Sequence, residues 1–244
     1  MNRNSVFIFS TIILDGLAGL SGGLLSDRWL SRHQPALTGF AAGAILGAVF
    51  LDILPESVDA VGTRAVTWSF YGFMILAIVE WFIGHHHHKK GMIFPAVPAS
   101  LLISDALHNV GDGAAVAAGF LTSIPIGVAL AVAVIAHEVP QEVGDYVVLR
   151  AAGWNRKHAL LVLAGVQLTA FIGAVGVIVA AERIDHLTAI ILSIAGGTFL
   201  YIGATDLLPE IHSGSTLSSR SERMFAFIAG VAVMAIVSAL EIRR

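Results

Sequence analysis

The sequence predicts an all-α integral membrane protein: eight transmembrane helices, in inverted-repeat-like halves, around a metal site between helices four and five. Three observations carry this. Of 244 residues, 56% are hydrophobic and 13% charged, with mean hydropathy +0.82; soluble domains carry about 25% charged residues. Several apolar runs approach or exceed the ~20 residues that cross a bilayer. One acidic pentapeptide occurs twice, at the ends of two of those runs.

The runs follow in order. The first, 5–25, holds Asp15 and reads as a retained span rather than a cleaved leader. The second, 36–58, ends in Asp52-Ile53-Leu54-Pro55-Glu56. The third, 66–84, enters a loop over 85–94 that opens with His85, His86, His87 and His88. Runs four and five, 95–121 and 123–149, share only a short turn and must be antiparallel neighbours. The sixth, 158–181, contains Gln167. The seventh, 187–209, leads into Asp206-Leu207-Leu208-Pro209-Glu210, and the eighth is 223–241. No join is long enough for a further domain, so 1–244 reads as a single transmembrane domain.

Nine of the 14 Lys and Arg residues fall on one set of joins: Arg28, Arg32, Lys89, Lys90, Arg150, Arg156, Lys157, Arg220 and Arg223. Cationic loops stay in the cytoplasm. The chain should therefore lie multi-pass in the cell (plasma or inner) membrane, with both termini extracytoplasmic and the histidine loop inside. The repeated pentapeptide then ends two antiparallel spans, on opposite faces of the bilayer. Elements related in this way are a transporter signature. A proline-marked helix end is the plainer explanation. Asp and Glu at i and i+4 share a helix face, which favours Asp52, Glu56, Asp206 and Glu210 as the two mouths of a cation path.

Several classes are excluded. Net charge is −3, with no basic block, so nucleic acid is not an expected partner. The chain has no cysteine, hence no disulfide, thiolate ligand or thiol nucleophile. No phosphate-binding G-x-x-x-x-G-K-[ST] loop is present.

The chemistry concentrates in runs four and five. His108 and Asp112 stand one turn apart, Asp105 a turn earlier, and Asn109 beside them. In the fifth run His137 and Gln141 are i, i+4, while Glu138, Glu142 and Asp145 form a neighbouring stripe. Both histidines lie roughly 20 Å along their helices, near the midplane. A charged side chain there costs about 2.5–3.5 kcal/mol. No Lys or Arg occurs between Lys90 and Arg150 to neutralise the five carboxylates. A lone intramembrane histidine is often just a hydrogen-bonded polar residue, and Asn109 or Gln141 can be ordinary interhelical glue. The combination is harder to explain that way. A bound divalent cation or protons would neutralise it, and imidazole plus oxygen ligands suit zinc, iron or manganese. Pro140 cannot donate a helical hydrogen bond and frees the carbonyl of Ala136.

These residues resemble the ZIP (Zrt/Irt-like) family of divalent metal transporters. His108-Asn109-Val110-Gly111-Asp112-Gly113 is similar to its fourth-helix H-N-x-x-D-G. His137 to Asp145, "HEVPQEVGD", is similar to the fifth-helix H-E-x-P-H-E-x-G-D of one subfamily. The seventh run, "GGTFLYIGATDLLPE", and the histidine loop agree as well. The resemblance implies a two-metal centre. His108, Asp112, His137 and Gln141 would form one site. Asn109 and Glu138 would serve a second, with Asp112 near both and Gln167 approaching it. Glu142 and Asp145 belong to the same motif, and with Asp105 they are candidates to ligate the metal or line its path. It also implies zinc, iron, manganese or cadmium as substrate moving toward the cytoplasm, no catalytic cofactor, no enzyme activity, and a homodimer in the bilayer. Gln141 departs from the motif, which has histidine there; a neutral amide is a weaker ligand. His85 to His88 would capture or sense metal.

Two other functions compete. A proton-coupled carrier of a small organic solute would use the carboxylates as a relay. An intramembrane metalloprotease would need H-E-x-x-H, and Gln141 breaks that pattern.

Overall fold

A computed structural model of the protein describes residues 3–22, 27–87, 97–184, 186–212 and 217–242. Every regular element in them is helical. The first rod is α1, Arg3–Gly22. The second is α2, Asp27–Ala48, which passes through a π-turn, Val49–Ile53, into α3, Leu54–Val61. Then come α4, Arg64–His87, α5, Val97–Thr122, and α6, Ile124–Ala151. The sixth rod is broken into α7, Arg156–Gln167, and α8, Ala170–Ala181. The seventh is α9, Leu187–Tyr201, a π-turn at Ile202–Leu207, and α10, Leu208–His212. The last is α11, Leu217–Ile242.

The breaks have local causes. Pro55 and Pro209 each lack an N–H, and each ring presses on the carbonyl four residues back. The turn before each proline widens into a π-turn. Between α7 and α8, the Thr169 hydroxyl donates to the carbonyl of Ala106 on α5 at 2.9 Å and to Val166 at 2.7 Å. The sequence reads 158–181 as one span; the structure has a break at Leu168 and Thr169, pinned to α5. Ser123 caps α6 by accepting from the amide of Ile126 at 3.3 Å.

Seven helices, not eight, are long and apolar enough to cross a membrane among the described residues. The one that falls short is α5. Asp105, His108, Asn109 and Asp112 sit in its middle and lower its hydropathy.

The core is rich in alanine: Ala44, Ala48, Ala115, Ala117, Ala118, Ala129 and Ala133 are all buried. Large apolar side chains such as Phe70, Trp81, Phe82, Ile172 and Phe225 point outward. Small residues inside let helices approach closely, and large ones outside suit a lipid solvent. The chief helix pairs are α2 with α11, α4 with α9, α5 with α8, and α1, α2 and α5 with α6. Glycine sets several of these contacts. A Cβ on Gly113 would collide with the Ala170 carbonyl, and one on Gly173 with the Val110 carbonyl, so α5 and α8 touch backbone to backbone.

Candidate metal site

Most buried polar side chains gather where α5, α6, α7 and α1 meet. The helical period places His108 and Asp112 on one face of α5, and α6 brings His137 and Glu138 opposite. Nε2 of His108 lies 3.0 Å from Nε2 of His137, 3.4 Å from Oδ2 of Asp112 and 3.5 Å from Oε1 of Glu138. Nε2 of His137 lies 3.1 Å from Asp112 Oδ2 and 3.8 Å from Glu138 Oε1. All four donor atoms fall within 4.8 Å of one another. Ligand bonds of ~2.0–2.1 Å at tetrahedral angles put donors about 3.3–3.4 Å apart, the zinc arrangement. The separations here bracket that value. Asp112 Oδ2 and Glu138 Oε1 are buried without a hydrogen-bond partner, so both are free to accept a cation or a proton.

The orientation of the donors is set from outside the cluster. Nδ1 of His137 is 2.9 Å from the carbonyl of Ala133, one turn earlier on α6. A proton on Nδ1 makes this bond and leaves the Nε2 lone pair toward the cluster. The ring also packs edge-on against Phe199 of α9, centroids 5.6 Å apart. Glu138 is held through its other oxygen: Nε2 of Gln167 donates to Oε2 at 2.6 Å. The same nitrogen donates to Glu142 Oε1 at 2.5 Å.

The remaining sequence-named residues divide. Gln141 Nε2 donates to Asp105 Oδ1 at 3.2 Å, while Glu138 joins His108, Asp112 and His137 in the cluster. Asn109 Nδ2 donates to the same Asp105 oxygen at 3.0 Å and to the Asp105 carbonyl at 3.0 Å. Asp145 and Asp206 line a cavity of about 490 Å³, together with His108, Asp112, Gln141 and Glu80. This cavity joins the cluster to the end of the molecule where Glu80 and Asp206 are exposed. The Tyr201 hydroxyl donates to Glu80 there. Asp52, at the other π-turn, is buried with neither carboxylate oxygen partnered, and Glu56 is half-buried beside it in α3. Among the histidines of the loop, His85, His86 and His87 end the backbone of α4; their side chains, His88, and the side chain of Glu210 lie outside the described residues.

Sequence reasoning missed Asp15. It is buried on α1, its Oδ1 has no hydrogen-bond partner, and the charges acting on it are those of Glu138, Asp112, His108 and Glu142. A lone aspartate in an apolar run was the available signal. Glu80, at the cavity mouth, carried no signal beyond closing an apolar run.

The family model of the ZIP zinc transporters matches residues 89–238. Zinc transporter ZIP13 of Pongo abelii is 28% identical over 235 residues, covering 89% of this chain and 70% of that protein. Zinc transporter ZIP10 of Danio rerio is 32% identical over 148 residues, 58% of this chain. Zinc transporter ZIP4 of Homo sapiens is 42% identical over 115 residues, 47% of this chain. The chain spans only 18% of the length of each of these last two proteins. The matched region takes in α5, α6 and Gln167, where the donor atoms converge, and on that ground the protein belongs to the ZIP zinc transporter family.

Proposed function

We propose that the protein carries divalent transition-metal ions, zinc foremost, across the bilayer toward the cytoplasm. His108, Asp112, His137 and Glu138 would hold the ion midway. The observation that carries this reading is the convergence of their four donor atoms within 4.8 Å of one another. The neutral imidazoles supply two ligands, and the two carboxylates supply the charge that offsets a dication. Iron, manganese and cadmium are included because they accept the same nitrogen and oxygen donors. A homodimer is part of the same reading, taken from the family resemblance alone.

The architecture in this reading has eight spans, α5 included, in two inverted halves. The glycine contacts support it. Gly43 of α2 meets the Phe227 carbonyl of α11, and Gly230 of α11 meets that of Phe40. Gly197 of α9 meets the Ser69 carbonyl of α4, and Gly72 of α4 meets that of Ile194. Gly43 and Gly197 stand equally far ahead of Asp52 and Asp206. With both termini outside, the cavity past Asp206 faces the cytoplasm and Asp52 faces out. Asp52, Glu56, Asp206 and Glu210 then guard the two mouths. Asp105, Asn109, Gln141, Glu142, Asp145 and Gln167 support the centre or line the path, and His85 to His88 stand at the cytoplasmic exit.

Zinc uptake into proteoliposomes tests the reading. Wild type should accumulate zinc, and His108→Ala combined with His137→Ala should not. Absence of uptake by wild type, or full uptake by the double variant, overturns it.

A further inference from the structure

We infer that Gln167 takes the place of a second cation, so that the centre holds one divalent ion per chain; the inference rests on the transport reading above. Glu138 and Glu142 are buried, one turn apart on α6. Two carboxylates this close in a low-dielectric interior need a positive charge or a hydrogen-bond donor between them. The donor present is the Gln167 carboxamide. Its nitrogen is 2.6 Å from Glu138 Oε2 and 2.5 Å from Glu142 Oε1. An NH2 group has two hydrogens, and each meets one carboxylate. Assigning the amide oxygen to this position would set three acceptors against one another.

The amide is enclosed. Gln167 ends α7, just before the break that Thr169 pins to α5. On the other side lies α1. A Cβ on Gly19 would stand 2.9 Å from Glu142 Cγ and 3.6 Å from Gln167 Nε2, and one on Gly16 would stand 3.7 Å from Gln167 Cβ. Only the approach of Gly19 to Glu142 is tight; at both positions α1 lies against Gln167.

Glu138 therefore divides its oxygens. Oε1 faces the two imidazoles and Asp112; Oε2 is taken by Gln167. Two further amides of the site work in the same direction. Gln141 and Asn109 both donate to Asp105 Oδ1, which removes that oxygen from any further ion. Among the described residues, His108, Asp112, His137 and Glu138 are the one group of His, Asp and Glu close enough to hold a metal. Glu142 Oε2, Asp15 Oδ1, Asp105 Oδ2 and Asn109 Oδ1 remain without partners. The first two are the groups that a carboxylate at position 167 would recruit around a second ion.

Zinc bound per purified full-length chain is counted by equilibrium dialysis with metal analysis. The proteins compared are wild type, Gln167→Glu and His108→Ala. His108→Ala should bind one ion fewer than wild type, and Gln167→Glu one ion more, whatever constant number the loop histidines add. Equal counts for wild type and Gln167→Glu, or a loss of two ions in His108→Ala, overturn the one-ion inference and leave the transport reading standing. No loss in His108→Ala sinks the transport reading itself. Zinc K-edge absorption on wild type needs no variant. Paired metals sit about 3.5–4 Å apart, and a zinc–zinc vector of that length overturns the inference, whereas its absence supports it.

Discussion

Asp52-Ile53-Leu54-Pro55-Glu56 and Asp206-Leu207-Leu208-Pro209-Glu210 differ in one letter of five, and both aspartates sit in a π-turn ahead of a proline. Their surroundings are opposite. Asp52 is 2% exposed and neither of its oxygens has a partner. Asp206 is exposed, accepts from the Thr205 hydroxyl at 2.8 Å and lines the cavity that reaches His108. Local sequence therefore sets the backbone at each place, and packing sets access. A proline can widen the turn before it wherever it occurs. Whether the acid in that turn meets water depends on what α11 and α4 do against α2 and α9. One acid is shut away and the other open in the same molecule.

The largest effect expected from this contrast is in accessibility. The chain has no cysteine, so single-cysteine variants report cleanly. Asp206→Cys should react with a charged thiol reagent on the order of a hundredfold faster than Asp52→Cys, because the buried position needs a local opening. Equal rates would break the comparison. Next comes transport. If Asp52 faces the path once its mouth opens, Asp52→Leu should slow zinc uptake roughly tenfold, equivalent to ~1.4 kcal/mol on the barrier, and Asp206→Leu by a similar factor. An unchanged initial rate in Asp52→Leu would confine the path to the Asp206 side. Smaller again is the stability cost of filling the glycine contacts. Gly43→Ala and Gly197→Ala should each destabilise the protein by about 1–3 kcal/mol, read as a drop in thermal midpoint in detergent. A drop in one and not the other would argue that the halves are not equivalent. The smallest effect is for Thr205→Val, which removes an exposed hydroxyl shared between Asp206 and the Tyr201 carbonyl. Its cost should be about 0.5–1.5 kcal/mol or less, with uptake nearly unchanged; a loss comparable to Asp206→Leu would mean that Thr205 itself touches the ion.

Much of this was legible in the sequence because it is local. The i, i+4 spacing of His108 with Asp112 puts both on one face, and the short join at Ser123 makes α5 and α6 neighbours. Neither step needs the rest of the fold. The same polar letters that announced the site also hold α5 below the hydropathy of a spanning helix. The unread parts depend on contacts between distant segments. Nothing near Asp15 reveals that α1 packs on α6. Gln167 looks like one polar residue in an apolar run until the break at Leu168 and Thr169 aims it at two carboxylates. That Glu138 stands in the cluster, and that Gln141 donates to Asp105, are matters of side-chain direction that spacing alone does not give.

The cluster is also anchored unevenly. His137 is tied to its own helix through Ala133, and Glu138 is tied to Gln167, whereas His108 and Asp112 border the cavity. The α6 pair is tied on its far side, and the α5 pair faces the cavity. In the proposed transport reading, an ion leaving toward Asp206 would be let go first by His108 and last by His137. Substitutions at His108 should then act mainly on how fast the ion departs, and substitutions at His137 on whether it is caught at all.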